Sequence, residues 1–354
     1  MKRDALPVTL GRVFKHRQML YGCAALAIMI YHMQAPIDSF DLPRGIAVAL
    51  TGLRNLGCCG VEIFLLLSGF GLYCSLERNP SIRRFYLRRV LRVFVPAFIV
   101  GAIHFGTTEC TLLSYLAAIT YLPCAFWKGG FWFVGFILAM YLLYPLIHRI
   151  QRRRPRMLWV LFALTIAFVF ASEYLPIVSE PAFLRAMSRV PVFLLGCILA
   201  PIASKDARAP RWVLPVAAAA GAAVLAVIAL DGDRQHIYAL RSVAYIPLSI
   251  AFVLLLSAAA EALSRHGVVS QAIYRFLAMC GGVSLEIYLL YSRLREIFAA
   301  VGSYQQPVWG AVRLDLAAAF ATLILALLLR RISEMLIRCF RETRVPEPER
   351  AKSH

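Results

Sequence analysis

Apolar and polar positions in this chain are grouped in long blocks rather than in the short periods of a soluble fold. Nearly unbroken runs of Ala, Val, Ile, Leu and Phe recur over about 18–34, 57–76, 90–108, 130–148, 157–174, 187–203, 212–230, 241–261, 272–298 and 309–329. Each is close to the roughly 17–25 residues a helix needs to cross a bilayer. A segment in lipid must satisfy its own backbone hydrogen bonds, so the runs are read as helices. The pattern predicts an all-α, polytopic membrane bundle of about ten spans, with a basic N-terminal segment at 1–17, a transmembrane domain at 18–331 and a charged tail at 332–354. From Arg338 onwards the tail contains Pro and many charges, and is expected to be disordered.

Composition agrees with that reading. Of 354 residues, 60% are hydrophobic and 16% charged, and the mean hydropathy is +0.70. A soluble core of this size has no room for so much apolar surface. The net charge of +19 would suit nucleic acid if it formed a patch, but it falls in short clusters between apolar runs, which is what the positive-inside rule produces and which argues against a nucleic-acid partner. With the N-terminus inside, 28 of the 38 Lys and Arg lie in the inside segments and 7 in the outside ones. Both ends are therefore expected in the cytoplasm. Counting 110–126 as a further span would place the Arg149–Arg156 cluster outside, so 110–126 is read as re-entrant or interfacial. Trp127, Trp132, Trp159, Trp212 and Trp309 each fall near an expected helix end, where indole rings favour the interface. The first run lacks a small-residue cleavage site and is expected to be retained. No pair of related halves, as many transporters carry, is visible.

Ionisable residues within apolar runs are the candidates for chemistry, because they are costly there without a partner or water. His32 ends the first run and can take and return a proton near neutral pH. Glu62 lies at a similar depth in the second run, where it could orient the imidazole. Ser68 and Gly69, deeper in the same run, suit close helix packing. Arg84, Arg88, Arg89 and Arg92 recur at helical spacing, either as phosphate ligands or as a topology and headgroup signal. The nine cysteines form no Cys-x-x-Cys pair and no metal spacing with histidine, so no metal is expected. Cys110 and Cys124 flank an outside segment and could pair.

Taken in order, these motifs resemble the membrane-bound acyltransferase-3 family, which includes bacterial O-acetyltransferases of surface polysaccharides. The resemblance rests on His32, on Gly60-Val61-Glu62-Ile63-Phe64 followed by Ser68-Gly69-Phe70, and on Phe85-x-x-Arg88-Arg89-x-x-Arg92-x-x-x-Pro96. It continues in Phe131-Trp132-Phe133 with Tyr141-Leu142-Leu143-Tyr144-Pro145-Leu146, and more weakly in Ser284-Leu285-Glu286-Ile287-Tyr288-Leu289. It implies transfer of an acyl group, usually acetyl, from cytoplasmic acetyl-CoA to a hydroxyl of an outward-facing glycan or lipid-linked sugar. No bound cofactor is expected, since the acyl-CoA is a co-substrate. His32 is then the base, Glu62 its orienting partner, and Arg88, Arg89 and Arg92 the donor phosphate ligands. Ser68, Trp132, Glu286 and Tyr288 are candidates for lining the path. A bacterial cytoplasmic membrane is the implied location, with membrane lipids, acyl-CoA and a glycan or glycolipid as partners.

Two positions depart from the family pattern. Tyr21 stands where many members carry arginine, and Tyr291 where many carry histidine. These departures leave room for a non-catalytic relative. A glycan or lipid transporter, with Glu286, Arg293, Arg295 and Glu296 along its path, is a further alternative. The Arg89-x-x-Arg92 pair beside the Ser-Gly-Phe span favours the transferase.

Overall fold

The computed structural model describes residues 10–33, 35, 37, 40–106, 132–174, 181–205, 209–210, 212–230, 237–265, 267–301 and 308–342. All regular structure among them is helical. In chain order the helices are α1 (Leu10–Tyr31), α2 (Arg44–Leu56), α3 (Gly60–Arg78), α4 (Ile82–Gly106), α5 (Trp132–Arg153), α6 (Pro155–Tyr174), α7 (Pro181–Met187), α8 (Val190–Ser204), α9 (Val213–Leu230), α10 (Ile237–Arg265), α11 (Val268–Gly282), α12 (Ser284–Val301) and α13 (Val308–Glu342). A 3-10 turn, Gly57–Cys59, joins α2 to α3.

Six stretches among the described residues are long and apolar enough to cross a membrane: Arg44–Arg78, Trp132–Arg153, Pro155–Glu173, Phe183–Ser204, Val243–Arg265 and Trp309–Cys339. The bent pair α11 and α12 makes a seventh if it counts as one span. Every expected run overlaps a helix, yet fewer than ten meet that standard. Helices α1 and α4 bring several Lys and Arg into the segments that open them, while α9, Val213–Leu230, is apolar throughout.

Three expectations about single segments change. The ninth run, 272–298, is not one helix: α11 and α12 meet at Val283 with a bend of 77°. Gly281 and Gly282 weaken the helix there, and an arginine from α4 bonds the freed carbonyl of Gly282 (below). Within the expected outside segment 34–56, Arg44–Leu56 forms α2, a helix with no buried residue whose Val48 and Leu53 stay exposed. Helix α13 also runs through Glu342, into the expected tail, with Arg330 and Glu334 paired one turn apart on its surface. Residues 110–126, Cys110, Cys124, Trp127 and Phe131 lie outside the described residues.

Helix α1 is the hub, packing on α3, α8, α10, α11 and α12. Its closest crossing is with α11. A Cβ on Gly22 would fall 1.8 Å from the carbonyl oxygen of Leu277, and one on Gly281 would fall 1.7 Å from that of Gln18. Helices α3 and α8 touch in the same way, with Gly69 against the backbone of Gly196 and Cys197, and Gly196 against Leu66. Small residues let helix backbones approach where lipid supplies no hydrophobic drive between them. Gly69 therefore takes the packing role expected of the Ser68-Gly69 pair.

Candidate active site

Three cavities lie in succession along α1. The widest, about 1020 Å³, opens at the basic end of the bundle, between the start of α1 and the end of α3. The middle one, about 300 Å³, is bounded by Tyr21, Ser68, Arg89, Arg92, Tyr141 and Tyr288. The third, about 200 Å³, is bounded by His32, Trp132, Arg185, Tyr288 and Tyr291. Neighbouring cavities share walls. Arg17 and Gln18 line the first two, and Ile28, Phe64, Ser284 and Tyr288 line the last two.

The arginine motif divides in two on α4. Arg89 and Arg92, three residues apart, face the middle cavity. Arg88 sits on the exposed side of the same helix, where its Nε donates to the carbonyl of Arg84 at 3.3 Å. Arg88 points about 100° away from Arg89 and does not line the cavity that Arg89 and Arg92 share. Arg92 is already engaged. It forks onto the carboxylate of Glu286, with Nη2 donating to Oε2 at 3.2 Å and to the carbonyl of Gly282, also at 3.2 Å. One guanidinium thus closes the end of α11 and holds the first turn of α12. Glu286 is fully buried, and Arg330 of α13 stands 3.8 Å from it. Among the described residues Arg89 makes only a long bond, 3.4 Å, to the carbonyl of Gly71. Arg89, Arg17 and Arg330, whose Nη1 has no hydrogen-bond partner among the described residues, are the guanidiniums that keep donors for a ligand in the middle cavity.

Aromatic rings form the wall between the middle and third cavities. Tyr21 stacks on Phe64 at 5.4 Å, Phe64 meets Phe133 at 6.5 Å, and Phe133 meets Tyr288 at 5.2 Å. Tyr21 and Tyr291, the two departures from the family pattern, therefore both line cavities. They replace ionisable groups with phenols that can donate or accept a hydrogen bond.

His32 sits just beyond the end of α1, with its ring 5.0 Å from that of Tyr31. Its main chain is held from several sides. Arg295 donates to the His32 carbonyl at 3.0 Å. Three residues on, Ala35 donates its N–H to Asp315 at 2.8 Å and accepts from Arg54 at 3.0 Å. Asp315 is a buried carboxylate inside the last apolar run. That setting was its signal in the sequence, and the sequence reading passed over it.

Glu62 does not pair with His32. It is buried in the first turn of α3 and meets Arg189, at the start of α8, at 3.5 Å. Arg189 in turn donates to Ser188 Oγ and to the Arg185 carbonyl, both at 3.0 Å. Its guanidinium lies 5.3 Å from the centre of the Trp132 ring. The expected orienting partner of His32 is thus turned toward α8, because the first turn of α3 packs there. It reaches the third cavity through Arg189, which touches both Trp132 and Arg185. Of the residues considered for a transport path, Arg293 and Glu296 pair with each other at 2.8 Å and Glu286 is bound to Arg92, so they do not form an open ionisable track. Among the described residues, no group of three or more His, Cys, Asp or Glu is arranged to hold a metal ion.

Residues 20–331 match the acyltransferase-3 family, described as Acyltransferase domain. The chain is 25% identical over 298 residues to Acyltransferase MdmB of Streptomyces mycarofaciens, covering 76% of this chain and 75% of that protein. It is also 25% identical over 320 residues to ORF330 of Acidianus two-tailed virus, provisionally named an acetyltransferase, covering 86% and 87%. No solved structure matches it significantly.

Proposed function

The chain belongs to the acyltransferase-3 family and is a multi-pass membrane acyltransferase, and from that premise we propose that it moves a short acyl group, acetyl foremost, from acyl-CoA to a hydroxyl of a glycan or lipid-linked sugar. The donor enters from the cytoplasmic face. The acceptor is outward-facing, and the membrane is the cytoplasmic membrane of a bacterium. The topology is ten crossings with both ends inside, as the Lys and Arg asymmetry favours.

The observation that carries this reading is the shared wall of Ile28, Phe64, Ser284 and Tyr288 between the arginine-lined cavity and the cavity of His32. A thioester anchored by Arg89 and Arg17 needs only to extend past those residues to reach the imidazole. Arg92 contributes positive charge but spends its fork on Glu286. Arg88, on the outer face, meets lipid phosphates. His32 takes the proton as the acceptor oxygen attacks the thioester carbonyl, since a sugar hydroxyl is a poor nucleophile at neutral pH. The C–S bond breaks, CoA leaves as thiolate, and the proton held by His32 can return to it. Ser68 and Tyr288 border the donor arm, Trp132 flanks the acceptor, and the aromatic wall limits water near the thioester. The direct test is mass spectrometry of surface glycans from cells with and without the protein. O-acylation should vanish with its loss, and an unchanged glycan would overturn the acceptor class.

A further inference from the structure

Apart from Arg17, the wide cavity at the basic end has no part in the chemistry just described, yet its charge is arranged with a bias. Arg12, Lys15, Arg17 and Arg78 line it, against Glu77 and Glu261. Both carboxylates are already paired, one of them with Lys15 of the same lining. Glu261 is held by Lys15 at 2.9 Å, by buried His16 at 2.6 Å and by Arg265. Glu77 is held by His148 at 2.9 Å and Arg152 at 3.7 Å. Arg12, Arg17 and Arg78 are left as unbalanced positive charge. One nitrogen of Arg12, Nη1, is shielded from solvent without a hydrogen-bond acceptor among the described residues, and a buried donor in that state is costly. Phe14 and Tyr73 supply ring surface on the same wall. Guanidiniums beside aromatic rings are the chemistry that binds a phosphorylated nucleotide, by paired bonds to phosphate and stacking on the base.

We propose that this cavity holds the nucleotide end of the donor, with Arg12 and Arg78 on the 3′-phosphate and Tyr73 or Phe14 against the adenine. Arg17, shared with the middle cavity, then sits where the diphosphate leads into the pantetheine arm. The assignment rests on the acyl-CoA reading and goes beyond it. It names a second set of donor residues, outside the Arg89-x-x-Arg92 motif, and a requirement for the 3′-phosphate.

The test is calorimetric titration of the full-length protein in nanodiscs of zwitterionic lipid with CoA, dephospho-CoA and adenosine 3′,5′-bisphosphate. Wild type should bind CoA roughly tenfold or more tightly than dephospho-CoA, the worth of a charge-assisted phosphate contact, and the bisphosphate should compete with CoA. In Arg12→Gln/Arg78→Gln that preference should collapse while dephospho-CoA affinity stays unchanged, which also shows that the variant is folded. Arg12→Lys/Arg78→Lys should recover part of it. Equal affinity of wild type for CoA and dephospho-CoA, or a preference that survives in the glutamine variant, would overturn the nucleotide site and leave the acyl-CoA reading standing. Failure of every CoA form to bind would remove both. Competition by added phosphatidylglycerol but not by the bisphosphate would identify a lipid headgroup site instead, and would also overturn the proposal.

Discussion

Two buried carboxylates, Glu286 and Glu62, are set against arginines in the same protein, and they are used differently. Glu286 is saturated. Arg92 grips both its oxygens, Arg330 stands nearby, and the same arginine closes the broken end of α11. Glu62 meets one guanidinium at 3.5 Å, and its Oε2 has no hydrogen-bond partner among the described residues. The first arrangement fixes a shape: it holds a 77° break open beside a cavity. The second leaves a carboxylate with capacity to spare, joined through Arg189 to the Trp132 wall of the His32 cavity. Burial and charge alone would rank the two residues together. The number of satisfied lone pairs separates them.

Equivalent substitutions should break the symmetry. Glu286→Gln strands Arg92 and Arg330 and should cost about 3–5 kcal/mol, as removal of one partner from a buried ion pair does. Measured as thermal denaturation in detergent, the drop should be large and accompanied by loss of activity. Glu62→Gln keeps the shape and removes one loose contact, so it should cost about 1–3 kcal/mol and lower acyl transfer less than a change at His32. Equal losses of stability in the two variants would erase the distinction.

The arginines sharpen the same point at smaller magnitude. If Arg92 is spent on Glu286, the motif's share of donor binding falls to Arg89. Arg89→Gln should raise the KM for acyl-CoA by roughly tenfold to a hundredfold, matching about 1.5–3 kcal/mol for a lost charge-assisted bond. Arg88→Gln should leave KM within about twofold, as surface substitutions generally do. A larger KM change at Arg88 than at Arg89 would reverse the assignment of the motif's two faces.

How much of this was legible follows from what sequence patterns encode. The apolar helices were, because apolar run length is set by the bilayer and every run overlaps a helix; α2 and α7, which fall between the runs, were not. The break at Val283 was not. The Gly281-Gly282 pair is visible in the sequence, but the arginine that holds the bend comes from a helix about 190 residues earlier. The Arg88, Arg89 and Arg92 cluster was legible as a unit; its division between a cavity and an exposed face needed the rotation of α4. The pairing of His32 with Glu62 was inferred from equal depth. Depth along two helices says nothing of which way each side chain turns, and Glu62 turns to α8. Arg189 and Asp315 carry no motif. Only their place at or within an apolar run marks them.

The central claim, that His32 is the group that moves the proton, is tested most directly by His32→Gln assayed for both acyl transfer and thermal stability. The ring is held by a backbone that Arg295, Asp315 and Arg54 fix independently of the imidazole. Stability should therefore stay near wild type while transfer from acyl-CoA falls about 10²–10⁴-fold, the usual worth of a positioned acid–base group. A stable His32→Gln protein that acylates its acceptor at a near-normal rate would contradict the account.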